Sequence, residues 1–590
     1  MSKKLLRKKL ALMLATLKKK RKYYVECEYL ETTNQQNDNI STNNAAYIDT
    51  GVTPDNTTKI ECRVQFTTLI SGNSSEALFG ATGVSSSKPA RMAFGFASVS
   101  PYTNFYMGLG IQNLTTSVAR DTNVHIFTID ASTSSWKIDD TTGTFSNPGE
   151  VVGDGPMYLF ARNYAAYEYA NKPANARTYY CKIWKGGSLV RDMIPVLDWN
   201  YVPCMYDKVT EQLFYSAGTG NFIAGREIHP VEYLESTGVE YIDTGVEKGS
   251  VSIIRTIADL SFNNLSTINA AGWGQSLSGG CFGFKQNATY IYFNLTGTDE
   301  NSTLGYTAGK RLKFDLDGVN GTFTIYDGES VAYTATKTSS TSTSNDVGIL
   351  FGFKNTSGIN TKAQTIYSYK MYKNNALVRD YIPAIDENGV GFMFDRVSHT
   401  IYDNAGTGAF GYPAREVEYL EGTGTQYIDT GVRGFADFEI GVKLRESVSN
   451  VSIFCSNNYR LERYNASNPY WRFRNNNDFY ISSVPITEYH VMAWKNDEVY
   501  ADGVKLQDFA KTWNVPANMT LFGASASSSF PSMIYFCKLW NPTDGTLLRD
   551  FIPVYKDGLS GLLDKANGVL YQNSGTGTFT TGKIVEPEYE

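Results

Sequence analysis

Hydrophobic and polar residues alternate in short runs along almost the whole chain. In IECRVQF, from Ile60, every second side chain is apolar or a cysteine. Runs of similar length recur as ALFGA from Ala77, MAFGF from Met92, FYMGLGI from Phe105, VHIFTID from Val124, SWKID from Ser135, MYLFAR from Met157 and YYCKIW from Tyr179. Successive side chains of a strand point to opposite faces, so these runs predict half-buried strands. Between them lie Gly, Ser, Asn and Asp, at intervals of roughly ten to fifteen residues, the spacing of an antiparallel sandwich.

The order of the runs repeats. AGWG at Ala271, CFGF at Cys281, TYIYFNL at Thr289, LKFDLDG at Leu312, TFTIYDG at Thr322, GILFGF at Gly348 and YSYKMY at Tyr367 follow the same succession. LKFDLDGVNGTFTIYDG is predicted to be a hairpin by its alternation and its Asp-Gly and Asn-Gly pairs. HVMAWKNDEVYADGVKL stands at the same point in a third copy, where LFGA at Leu521 matches LFGF at Leu350.

Two signatures frame each copy. The opening one is CEYLE with AYIDTGV (Cys27 to Val52), VEYLESTGVEYIDTGV (from Val231) and VEYLEGTGTQYIDTGV (from Val417). The closing one runs from LVRDMIP (Leu189), LVRDYIP (Leu377) and LLRDFIP (Leu547) to a GTG and a Phe. Arg191, Arg379 and Arg549 stand 188 and then 170 residues apart, the size of a whole domain. The predicted fold is therefore all-β, three tandem antiparallel jelly-roll β-sandwiches at 25–227, 228–415 and 416–590. With about ten residues between a closing GTG and the next opening strand, neighbouring modules should abut.

Residues 1–24 break the pattern. Leu6, Leu10, Met13 and Leu17 recur at helical spacing, which predicts a short basic amphipathic helix. Its apolar seam is too short to hold a coiled coil alone, so it needs a partner. Three identities compete: attachment to a larger assembly, an anionic membrane surface, or the phosphates of a nucleic acid. The first 22 residues hold ten Lys or Arg and no acid, so a chain of net charge −6 carries −16 elsewhere. The apolar run Leu10 to Leu17 ends in KKKRK, unlike a secretory signal, and is too short to span a bilayer.

Aromatics at 14%, with 40 Tyr, and charged residues at only 19% fit strands and turns. The seven cysteines are odd in number and show no CxxC pair, so buried unpaired thiols of a reducing compartment are expected rather than a disulfide framework or metal site.

The adjacent Arg and Asp of LxRD fall on opposite strand faces. Recurrence of Arg191 and Asp192, Arg379 and Asp380, and Arg549 and Asp550 points to a structural ion pair, for which the YIDTG aspartates Asp49, Asp243 and Asp429 are candidate partners. The glycines Gly218, Gly406 and Gly575 should supply positive-φ turn positions; no helix with Lys-Ser/Thr follows, so they are not phosphate loops.

Hydrolysis of a glycosidic bond needs two carboxyls facing one cleft. The nearest pattern is Glu240 with Asp243, but Ala46 and Gln426 take the place of Glu240 in the other copies. No enzyme is expected. His125, His229, His399 and His490 read as surface or edge-strand residues, without zinc-ligand spacing. No cofactor is implied, and no motif supports calcium. Sugar binding needs exposed rings beside amide or acid groups. The candidates are Phe105 and Tyr106, Tyr290 and Tyr292, and Tyr470, Trp471 and Phe473, where Trp471 and Phe473 share one face and Arg472 and Arg474 the other.

The strand order, the Asp-Gly hairpin from Glu498 to Leu506, and the late FGA/FGF strand before LxRD resemble the concanavalin A-like lectin/glucanase superfamily, in particular its laminin-G-like members. The paired signatures are similar to modules that recur in phage virion proteins and surface proteins of gut bacteria. The resemblance implies a phage virion component on the particle exterior, made in the host cytoplasm and bound to other virion proteins through residues 1–22. Its modules would adhere to host-surface glycans, and a homo-oligomer is compatible with this. A structural assembly protein without glycan binding and a bacterial surface adhesin are the alternatives.

Overall fold

The computed structural model describes residues 24–33, 45–69, 76–82, 91–95, 103–151, 154–164, 169–264, 269–273, 282–286, 289–296, 300–341, 343–355, 358–433, 436–444, 451–456, 459–463, 470–511, 517–523, 531–556 and 559–585. The helix expected over 1–24 lies outside the described residues except for Tyr24, which opens a strand, and so does Cys281. Within them the chain is built of strands; the one short helical turn is Val251–Ile253.

The alternation in the sequence is the alternation of burial. In Lys59–Phe66 the side chains of Ile60, Cys62, Val64 and Phe66 are buried and those between are not. Among the described residues three large hydrophobic cores result, from Cys27 to Phe222, from Val231 to Tyr412 and from Leu420 to Phe579, with two small clusters around Val196 and Phe392. Each large core is bounded by strands of two sheets. One contains the Arg-Asp strand (Ser188–Asp198, Ala376–Ile385 or Leu547–Lys556); the other contains the strand of the candidate aromatics (Asn104–Leu109, Tyr290–Asn294 or Tyr470–Asn475). Among the described strands the pairings are antiparallel apart from Arg162–Tyr164, which runs parallel to Ala77–Thr82; an isolated bridge from Ala77 to Pro173 is also parallel. The hairpin predicted at Leu312 forms, with Phe314 opposite Ile325.

The chain divides into two compact units, 1–412 and 413–590, where three modules were expected. The reason lies in the first unit. Strand Glu227–Pro230, which opens the second copy, pairs with Tyr24–Cys27 of the first and with Ala376–Ile385 of its own, so one sheet runs through both cores. His399 sits on this seam: its Nε2 lies 3.1 Å from the Cys27 carbonyl and its Nδ1 3.3 Å from Glu26, while Arg63 donates to the carbonyls of Ser398 and His399 at 3.0 Å. The second unit holds the third core alone.

The predicted strand MYLFAR is shorter than its sequence suggests, Tyr158–Leu159 only. Phe160 ends it by adopting φ +64°, and its counterparts Phe351 (+62°) and Phe522 (+67°) do the same. A bulky side chain avoids this region of backbone space, so burial has to hold it there. The Phe that follows each GTG does so: the ring pairs Phe160–Phe222, Phe351–Phe410 and Phe522–Phe579 lie 5.1, 4.6 and 4.6 Å apart, all six rings being buried.

Candidate functional site

Most residues common to all three copies meet each other, although in the third copy Gly575, Gly577 and Phe579 also line a cavity of about 200 Å³ together with Leu559 and Asn573. The YIDTG aspartates expected to pair with the LxRD arginines do not; each accepts the backbone N–H two residues on, at 2.9 Å for Asp49, 3.0 Å for Asp243 and 2.9 Å for Asp429, which fixes the turn at the following glycine. The arginines instead reach the aspartate of the next strand: Arg191 to Asp207, Arg379 to Asp395 and Arg549 to Asp564, at 3.6 Å each. These carboxylates are buried, and each accepts the amide of the LxRD aspartate at 2.8 Å. Arg191 and Arg549 also donate through Nε to the carbonyls of Thr50 and Thr430, at 2.9 and 3.0 Å. In the second copy the hydroxyl of Tyr381 takes that place at Thr244, 3.5 Å away. Opening and closing signatures are thus bolted together.

The GTG glycines do this at close range. Gly218, Gly406 and Gly575 do not adopt positive φ, contrary to expectation; their requirement is space, since a Cβ would stand 1.9 to 2.2 Å from the carbonyls of Ala45, Val239 and Thr425. The positive φ falls on the second glycine in two copies, Gly408 (+83°) and Gly577 (+76°).

Glu240 is buried and caged by its own loop, accepting bonds from the Thr237 amide at 2.8 Å and the Ser236 hydroxyl at 3.0 Å. Burial opposes its ionisation, but those donors outweigh it and hold the carboxyl below its ordinary range. Gln426 accepts the Thr423 amide in the same way at 2.8 Å. Both residues hold their own loop.

The histidines depart from the surface reading. His229 and His399 are buried, and His125 is held between Asp139 at 2.6 Å and Asp121 at 2.8 Å; His490 meets Asp502 at 2.7 Å. Burial lowers the basicity of His125, yet its two carboxylates raise it above the ordinary value overall. Among the described residues no group of three or more His, Cys, Asp or Glu could hold a metal ion. The six described cysteines are buried and unpaired, with Cys62 and Cys181 opposite each other on paired strands at 3.0 Å between sulfurs. No helix among the described residues is long and apolar enough to cross a membrane.

Of the proposed sugar-stacking rings, three belong to the cores and cannot meet a ligand. Phe105 packs against Phe66, Phe94 and Phe127; Phe473 packs against Phe438 and Trp494; Trp471 is fully buried beside them. They sit on the inward side of strands whose outward side carries the others. Tyr106, Tyr290, Tyr292 and Tyr470 all face out, Tyr290 at 37% and Tyr470 at 39% exposure. Tyr292 lies beside Lys285 and opposite Asn301, and Tyr106 opposite Thr115, so polar groups flank the rings. Arg472, on the same face as Arg474, is buried in an ion pair with Glu462. Sequence reasoning missed the exposed Trp199, Tyr201 and Tyr215 of the first copy and Phe479 of the third. Of these only Phe479 stands on a strand, Asp478–Pro485, whose outward face the alternation marks; the others lie outside strands, where alternation marks no face.

No family model matches the sequence, and no curated protein does. Among solved structures, the chain is similar to the LG1-3 region of the laminin alpha2 chain (10% identity, 95% of this chain and 100% of that one, TM-score 0.25) and to domains LG4-5 of the mouse laminin alpha1 chain (10%, 59% and 94%, 0.20). It is also similar to the binding domain of botulinum neurotoxin serotype D (7%, 64% and 90%, 0.19).

Proposed function

We propose that this chain is a non-enzymatic adhesion protein: three copies of one lectin-like jelly-roll module that bind glycans, carried on the exterior of a phage particle and attached to other virion proteins through residues 1–22. The observation that supports this reading most is a division of labour. The residues the copies share are consumed in closing the sandwich, as Arg191, Asp207 and Thr50 are in the first copy, while the outward rings Tyr106, Tyr290, Tyr292 and Tyr470 sit in different surroundings from copy to copy. A scaffold copied faithfully with surfaces left to diverge suits an adhesin with several weak sites, whose joint avidity exceeds each by orders of magnitude.

Binding of the full chain to a printed glycan array and to host cells tests the adhesion half. Retention on the array, reduced by Tyr290→Ser or Tyr470→Ser, is the expected result; an array without signal counts against it. A second reading, a structural assembly protein of the virion without glycan binding, draws on Phe479 and Ile481, which stand 57% and 38% exposed side by side on the outer face of the third copy.

A further inference from the structure

The sheet that carries the outward tyrosines ends in the same kind of strand in all three copies. Gln112–Ala119, Glu300–Gly305 and Asp478–Pro485 each pair with the tyrosine strand, and among the described residues no strand lies beyond them. Each is organised by one buried hydroxyl. Thr116, Ser302 and Ser482 accept the amide two residues on, at 3.3, 3.2 and 3.2 Å. Thr116 and Ser482 also donate to the carbonyls of Phe105 and Trp471, at 3.0 and 2.9 Å. This motif aligns the three edge strands residue by residue.

So aligned, their outward side chains differ in kind. The first copy presents Asn113, Thr115 and Ser117, and the second Asn301 and Thr303, all exposed. Polar side chains on a sheet edge keep other chains from pairing with it. In the third copy the same positions carry Phe479, Ile481 and Ser483, with Phe479 57% and Ile481 38% exposed. The Arg472 guanidinium covers one side of the Phe479 ring at 5.3 Å, and Tyr480, pointing the other way, packs against the third core. An exposed apolar edge is a template for a further strand. This chain already joins modules in that mode: Tyr24–Cys27 and Glu227–Pro230 pair antiparallel, edge to edge, and carry one sheet through two cores.

We propose that the chain forms a two-fold dimer through residues 478–482 of its third copy, paired antiparallel with the same residues of a second chain. Register selects this partner. Pairing centred on Tyr480 sets Phe479 opposite Ile481 and Ile481 opposite Phe479, both on the outward side, with Asp478 opposite Ser482. Centring on Phe479 or on Ile481 instead would set the other apolar side chain against Asn477 or Ser483. The edge is thus complementary to itself, as a two-fold contact requires, and no two like charges stand opposed. The contact is independent of glycan binding and doubles the number of modules displayed together.

Sedimentation equilibrium of the full chain over a wide concentration range tests this. The expected result is a monomer–dimer equilibrium whose midpoint moves to about tenfold higher concentration or more in Phe479→Ser and in Ile481→Lys. Both variants should keep the melting temperature of the dilute parent, since the replaced side chains face solvent. Thr115→Lys, at the place of Ile481 in the first copy, should leave the midpoint unmoved. A wild-type chain that stays monomeric throughout overturns the proposal and leaves the edge to a strand of another virion protein. A dimer that survives both substitutions, as one held through residues 1–22 would, also overturns it, and so does dissociation by Thr115→Lys alone.

Discussion

Arg549 stands 3.6 Å from the buried carboxylate of Asp564 and bonds the Thr430 carbonyl, 119 residues upstream, at 3.0 Å. One side chain thereby ties the last strands of a copy to its first. Asp564 is fully buried, so Arg549→Leu leaves a carboxylate without its countercharge. The expected loss is about 3 kcal/mol, seen as a lower melting temperature. Asp429→Ala, which removes a turn bond and the bonds donated by the Asn518 side-chain amide at 3.1 Å, should cost about 1 kcal/mol. Equal losses from the two variants contradict the assignment of Asp564 as the partner.

Phe579 packs on Phe522, whose backbone is left-handed at φ +67°. Phe579→Ala should destabilise the second unit by about 3 to 5 kcal/mol, because it removes a buried ring and the support of a strained neighbour. Urea unfolding followed through Trp494, in the same core, checks this.

How far these relationships could be read from the sequence differs for strands and for their closure. Alternation is local, so Lys59–Phe66 and Leu312–Asp317 were legible directly, as was the sharing of one face by Trp471 and Phe473. Asp207, Asp395 and Asp564 lie within the closing repeat, but nothing in the sequence marks them as the arginines' partners, since strand pairing alone brings them beside the arginines. The outward face of a strand is equally legible, but which rings outside strands stay exposed is not.

Gly218 needs space rather than conformational freedom. A methyl group there would stand 1.9 Å from the Ala45 carbonyl, too close for anything but a shift of the loop. Gly218→Ala should cost about 1 to 3 kcal/mol. Gly186→Ala, at φ +57° with nothing within 4 Å, should lose only about 1 kcal/mol of left-handed strain. Differential scanning calorimetry of the two variants ranks them, and the reverse order refutes the crowding argument.

His399 makes the seam of the first unit sensitive to acid. Its turn position is taken by Glu211 in the first copy and Gly568 in the third, all three left-handed, but only here is the residue buried. Burial, which outweighs the opposing pull of Glu26, drives its pKa down to about 4, and Lys208 and Arg63 push the same way. A histidine more acidic folded than unfolded stabilises the fold in its neutral form, so this contribution is complete above pH 6.5 and drains away as pH falls towards 4. The loss amounts to about 3 kcal/mol. His125, held basic by Asp121 and Asp139, acts in the opposite sense, stabilising at low pH and losing its contribution as pH rises through its folded value. His399→Asn retains a residue that tolerates the left-handed turn. It should flatten the decline of melting temperature between pH 6.5 and 4, and a decline as steep as in the parent chain would show that His399 is not the titrating group.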